Sequence, residues 1–294
     1  MSEIDLQHLR TWIGRTQTHA DLINASTAER MAATLDAPRH FVDGDALPPG
    51  WHWLYFLPTT PQHLIDTDGH ATRGEFLPPI TLPRRMWAGG RLSFYRPLRI
   101  GETAERESRI MEVEQKDGRT GTLIFVTVRH EIRDGEGLLL VEDQDLVYRE
   151  APAPGTIAHA VNTQPVQQAE WSHTYTPDPV WLFRYSALTF NGHRIHYDRG
   201  YCAEEGYPGL VVHGPLLATL LLELLREHLP QRTLASFHFR ARQPLFDIHP
   251  FSVNGTFTDA AEHVKPTATL WAARNGEAEN SEVVAMQAEA TFAD

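Results

Sequence analysis

Residues 183–225 read FRYSALTFNGHRIHYDRGYCAEEGYPGLVVHGPLLATLLLELL. Two parts of unlike character make up this stretch. From Ser186 to Asp198 it is polar, with Asn191, His193, Arg194, His196 and Asp198 packed close together. So many hydrogen-bonding side chains do not suit a plain core strand, and the segment reads as a reactive loop. From His213 onward the chain turns apolar, and Leu216, Leu217, Ala218, Leu220, Leu221, Leu222, Leu224 and Leu225 leave almost no polar side. A helix that is apolar nearly all round is buried on most sides. Pro215 suits its first turn, where a missing N–H is no loss. Gly214 at its mouth lets a ligand approach the backbone. The loop is therefore expected to supply an acid/base group and the helix mouth an oxyanion site, where free N–H groups and the positive dipole end face a developing charge.

Outward from this stretch the helix signals weaken. Residues 3–15 place Ile4, Leu6, Leu9, Trp12 and Ile13 near helical spacing, and 25–35 (ASTAERMAATL) read as a second helix. Ser26 or Thr27 is the expected cap of that helix, and Pro38 is expected to end it. Residues 51–57 (WHWLYFL) read as an aromatic strand. Residues 66–91, rich in Gly and Pro, read as one long loop, and such loops inside a compact domain are often functional.

Strands are predicted at 91–97, 103–115, 120–133 and 137–149, then at 170–176, 235–242, 251–258, 265–274 and 282–292. Turns fall at 116–119, 134–137 and 275–277. Helix followed by antiparallel strands occurs twice, which is an α+β plan. The repeated order reads as a tandem duplication with a degenerate first copy. The copies are expected at 1–150 and 170–294, with 151–169 as linker.

Composition narrows the function. Of 294 residues, 41% are hydrophobic and 22% charged, a globular balance. The net charge of −12 argues against nucleic acid as the main ligand. A single cysteine, Cys202, excludes an intrachain disulfide and fits a reducing cytoplasm. The N-terminus does not read as a signal peptide, and Leu216–Leu225, interrupted by Thr219 and Glu223, is too short to span a bilayer.

Among 16 histidines, an isolated imidazole is as a rule structural. His196 stands out for its company: Asn191 before it, Asp198 after it, and Tyr185 and Tyr197 flanking the run. An Asn beside a His suits a water that must be both oriented and deprotonated. Around Gly214, the residues His213, Arg194 and Tyr185 are expected to contact the substrate or its oxyanion. His193 and His196 have a possible metal-ligand spacing, but no acidic or Cys cluster accompanies them, and no metal is expected. Glu204 and Glu205 disfavour a thiolate at Cys202. No Gly-x-Ser-x-Gly elbow and no phosphate-binding Gly-rich loop is present. Arg84, Arg85, Arg240 and Arg242 read either as solvated sheet surface or as contacts for phosphate or carboxylate.

Tyr185 to Asp198, followed by Pro208-Gly209-Leu210-Val211-Val212-His213-Gly214, resembles the MaoC-like hydratase/dehydratase group of hotdog-fold proteins. That group's pattern runs Tyr-Ser, then Gly-Asp-x-Asn-Pro-Leu-His-x-Asp, then His-Gly at the start of a central helix. Carried over, its catalytic His falls on His196, its catalytic Asp on Asn191, its trailing Asp on Asp198 and its helix-mouth Gly on Gly214. Phe190, His193 and Arg194 stand where it has Gly, Asn and Pro. An amide cannot take a proton, so the resemblance leaves His196 as the sole acid/base and Asn191 to position water.

The form TFNGHRIHYD is similar to mitochondrial-type hydroxyacyl-thioester dehydratases and bacterial mesaconyl-CoA and itaconyl-CoA hydratases. It implies a double hotdog, two antiparallel sheets each wrapping a central helix. It also implies a hydro-lyase adding water to a short, branched, dicarboxylic enoyl-CoA, as in itaconate degradation. No cofactor is expected beyond the CoA of the substrate, and no membrane partner. The chain is expected as a monomer in which the copies form a pseudo-dimer, or as a homodimer. A non-catalytic acyl-CoA-binding protein and a hotdog thioesterase are the alternatives.

Overall fold

The computed structural model describes residues 4–118, 121–151, 162–259 and 265–293. Its strands are β1 (Thr16–Leu22), β2 (Arg84–Phe94), β3 (Thr103–Gly118), β4 (Gly121–Asp134), β5 (Gly137–Arg149), β6 (Gln164–Pro165), β7 (Trp171–Tyr175), β8 (Leu234–Ala241), β9 (Phe251–Thr258), β10 (Thr267–Asn275) and β11 (Ser281–Phe292). Its helices are α1 (Leu6–Arg10), α2 (Ala25–Thr34), α3 (Pro179–Leu188), α4 (Arg199–Glu204) and α5 (Gly214–His228).

All pairings are antiparallel, in the order β1-β3-β4-β5-β2-β8-β11-β10-β9-β7, with β6 on β11. The two sheets expected of a double hotdog are thus joined edge to edge through β2 and β8, where Gly89–Ser93 faces Ser236–Arg240. Glycine is required at this seam: a Cβ on Gly90 would lie 2.7 Å from the Phe239 ring. Residues 152–161 of the expected linker lie outside the described residues, and its later part contributes β6 to the sheet. Arg119, at the tip of the expected 116–119 turn, lies outside them as well.

α5 carries the core. Leu216–Leu222, Leu224 and Leu225 are all buried, and the helix packs on β7, β9, β10 and β11. Each fully buried leucine is worth about 1.5–3 kcal/mol, so this helix anchors the second half. The first half closes over it. Trp51 Nε1 donates to Glu223 Oε1 at 3.0 Å, which satisfies a charge on an otherwise greasy helix.

Several local readings differ from expectation. Residues 51–57 do not form a strand: Trp51–Leu54 is a 3-10 turn after Gly50 at φ +83°, in which Trp51, His52 and Leu54 are buried while Trp53 faces the cavity, a pattern without strand alternation. The loop at 66–91 ends earlier, since β2 starts at Arg84, and the Gly89-Gly90 pair marks a close strand contact rather than a break. The cap of α2 is Asn24, whose Oδ1 accepts from Thr27 N at 2.9 Å, and neither Ser26 nor Thr27. The helix at 3–15 shrinks to α1, capped by Asp5. The polar edge strand β1, α3 and α4 have no counterpart in the sequence reading. α3 begins at Pro179 after an Asp178 cap.

Candidate active site

A cavity of about 680 Å³ lies between the halves. From the second half, Asn191, Gly192, His193, Ile195, His196 and Gly214 line it. His196 sits in a 3-10 turn, Arg194–His196, placed by the chain between α3 and α4. Its Nδ1 lies 2.7 Å from Val211 O. A carbonyl only accepts, so Nδ1 carries the proton. Nε2 then keeps a lone pair, with no protein partner among the described residues. Burial, helped by nearby His70, lowers the imidazole to about 4 against the opposing pull of the Val211 carbonyl. His196 is therefore a neutral base at pH 7.

Behind it stands His213, the residue that precedes α5. The two rings stack with centroids 3.6 Å apart at 18°. His213 is fully buried, its Nε2 lies 2.8 Å from Ser186 Oγ, and its Nδ1 has no partner. Burial and the neighbouring His196 and His193 hold it well below the ordinary imidazole value. Tyr185 packs 4.9 Å from the His213 ring and is itself buried. Neither side chain lines the cavity, so the expected substrate contacts at His213 and Tyr185 are replaced by support for the His196 ring.

Gly214 does line the cavity, and a Cβ there would meet no atom within 4 Å. Its free side is open space rather than packed protein. No side chain caps α5, and Pro215 supplies no N–H. The first-turn N–H of Gly214 has no protein partner among the described residues. Asn191 Oδ1 accepts from His193 N at 3.0 Å. That bond ties up the amide oxygen and leaves Nδ2 as a donor.

The first half adds residues that the sequence reading missed. The loop 66–74 docks backbone to backbone on residues 191–194. A Cβ on Gly69, at φ +91°, would lie 1.8 Å from Gly192 O, so nothing larger than glycine fits. Arg194 N donates to Asp68 O at 3.0 Å. His70 thereby enters the cavity, its Nδ1 3.0 Å from Asp68 Oδ2 and its ring 4.2 Å from His193. Burial, with Arg85 nearby, lowers His70 to about 4. Asp68, His70 and His193 offer ligand atoms within 4.8 Å of one another, a spacing that could hold a cation. The only signal in the sequence was the length of the 66–91 loop; nothing in it linked Asp68 or His70 to Asn191.

The arginines separate. Arg194 pairs with Asp198 Oδ2 at 2.7 Å, donates to Thr67 O at 3.2 Å and does not line the cavity. It clamps the docked loop and, against the expectation of a substrate contact, stands outside the cavity wall. Arg84 is buried and pairs with Glu205 at 2.8 Å, away from this cavity. Arg240 is exposed and also stands outside it. Arg85 and Arg242 line it, and Arg242 Nε is held by Gln287 Oε1 at 2.9 Å. The far wall carries Trp53, Arg106, His130 and Glu142, with Glu142 bonded to buried His52 at 2.9 Å.

An antiparallel sheet from two halves, a buried central helix opening on a cavity, and an imidazole at that opening define a MaoC-like hotdog protein. The MaoC-like dehydratase of Phytophthora capsici has the same fold, with a TM-score of 0.68 at 14% identity over 99% of both chains. The chain belongs to the hydroxyacyl-thioester dehydratase type 2 family, whose profile matches residues 50–247, and it is a hydro-lyase. It is 53% identical to the mesaconyl-C(4)-CoA hydratase of Chloroflexus aurantiacus, covering 82% of this chain and 86% of that protein. It is 31% identical to the mitochondrial hydroxyacyl-thioester dehydratase type 2 of Schizosaccharomyces pombe, covering 79% and 87%. Among the described residues no helix is long and apolar enough to cross a membrane.

Proposed function

We propose that this hydro-lyase reversibly hydrates a short, branched, dicarboxylic enoyl-CoA of the mesaconyl-CoA or itaconyl-CoA type. The carrying observation is the tautomer of His196, with Nδ1–H held by Val211 O and the Nε2 lone pair left at the mouth of α5. In the proposed reaction Nε2 takes a proton from a water held at Asn191 Nδ2. The O–H electron pair passes to the β-carbon as the C–O bond forms. The π pair moves toward the thioester carbonyl, and the enolate oxygen is held by the Gly214 N–H. The imidazolium then returns the proton to the α-carbon, so the water is added without a net proton change.

The acyl chain is read from the likeness to the Chloroflexus hydratase. In this reading the enzyme works in the cytoplasm, with no cofactor beyond the substrate's CoA, as a monomeric pseudo-dimer or a homodimer. The test is loss of absorbance by the conjugated thioester across a panel of enoyl-CoAs. His196→Ala is expected to lower kcat about 10²–10⁴-fold with folding intact. Near-normal turnover in that variant removes His196 from the chemistry. Release of free CoA from the same substrates identifies a thioesterase instead.

A further inference from the structure

Arg85 is held differently from the other arginines on the cavity. Arg73 donates to the carbonyls of Ile80, Leu82 and Pro83. Arg106 donates to Phe56 O, and Arg242 to Gln287. The Arg85 side chain has neither a hydrogen bond nor an ion pair among the described residues. It is half-buried on the cavity wall.

Its position follows from the seam. β8 pairs with β2 only from Gly89 to Ser93, so residues 84–88 present an edge that β8 does not cover. Arg85, Met86, Trp87 and Ala88 line the cavity there. Arg84, next in the chain, is spent on Glu205. Asp68 is bonded to His70 and Glu142 to His52. Among the described residues no carboxylate, the Glu75 side chain on the same wall included, lies within ion-pair distance of Arg85. Arg85 shares the cavity wall with His70, His193 and His196, and with His193 and Asp68 it also lines an adjoining cleft, which places it beside the imidazole cluster.

We infer that Arg85 is the specificity-determining residue that receives the second carboxylate of the acyl group. A guanidinium offers two parallel N–H donors to a carboxylate, and the bond is charge-assisted. Phosphate shares that chemistry, and the CoA nucleotide could supply it. The carboxylate is the ligand the geometry favours, because Arg85 lies by the imidazoles where the double bond reacts, and the pantetheine arm holds the nucleotide far from there. The inference rests on the dicarboxylic reading above and deepens it.

The test uses equilibrium binding of saturated, unreactive thioesters, so that it does not depend on turnover. Methylsuccinyl-CoA carries the second carboxylate and butyryl-CoA does not. The full-length wild-type protein is expected to bind methylsuccinyl-CoA about 100-fold more tightly. Arg85→Gln is expected to bring that ratio close to one, and Arg85→Lys to leave part of it. Circular dichroism and the unfolding midpoint report the folding of each variant, and the wild-type ratio stands as evidence by itself. No wild-type preference overturns the inference. So does a preference kept in Arg85→Gln. Equal weakening of both thioesters, absent with the matching pantetheine thioesters, assigns Arg85 to the CoA phosphates and likewise overturns it. A failure of the hydratase reading shows separately, as no hydration by a wild-type protein that still prefers methylsuccinyl-CoA.

Discussion

α2 and α5 hold the same place in the two halves, each ahead of a run of antiparallel strands, yet their first turns differ. At α2 the Asn24 side chain accepts from Thr27 N, and the helix start is closed. At α5 the preceding residue is His213, whose ring turns away to Ser186 and caps nothing. The burial differs in the same sense. α2 buries Ala28, Met31, Ala32 and Thr34, whereas α5 buries nearly its whole length. A helix that serves only the fold satisfies its own N–H groups. One that opens on a cavity leaves them free, and its long apolar body supplies the stability that the missing cap does not.

Acidification should break this comparison most severely, because each half carries a buried imidazole. Burial lowers both His130 of the first half and His196 of the second to about 4, below the ordinary 6.5. Between those values the unfolded chain binds more protons than the folded one, so stability rises with pH and is lost as pH falls from 6.5 toward 4. The loss should reach roughly 3 kcal/mol per imidazole, read as a falling urea midpoint. Replacing either residue with Asn should remove its share and make the profile shallower, with His70 and His213 accounting for the rest.

Leu221→Ala, in the middle of α5, should cost about 2–5 kcal/mol in denaturant unfolding. The buried alanines of α2 leave far less to remove. Gly214→Ala sharpens the functional side of the contrast. Its methyl meets no protein atom but enters the cavity, so KM should rise about tenfold, about 1.4 kcal/mol, without loss of folding stability. Asn24→Ala should have the smallest effect: about 1 kcal/mol of stability with the hydration rate unchanged. A larger effect of Asn24→Ala on turnover than on melting would mean that the capped helix also serves the site.

Much of this was legible in the chain. Strands β3, β4, β5, β8, β9, β10 and β11 fall close to their predicted limits because alternation and turn residues are local signals. α5 and the prominence of His196, Asn191 and Gly214 in the cavity follow from one contiguous stretch. What misled were residues whose meaning depends on a distant partner. Gly89-Gly90 looks like a break until Phe239 passes beside it. The run at 51–57 looks like a strand until consecutive residues, Trp51 and His52, are both seen to be buried. Tyr185 and His213 sit beside the right helix mouth but face the core.

The sequence by itself determined the greasy central helix, the two runs of antiparallel strands and the imidazole ahead of the helix, because periodicity and residue chemistry over a few turns suffice for each. Only the tertiary structure decided which of the cavity's arginines has a side chain without a partner among the described residues, and which loop of the first half enters the cavity. Arg84 and Arg85 are neighbours with the same side chain, and Glu205 takes one of them. Asp68 and His70 meet His193 because two glycines, Gly69 and Gly192, let two backbones touch. Such contacts join residues more than a hundred positions apart, and no local pattern in the chain encodes them.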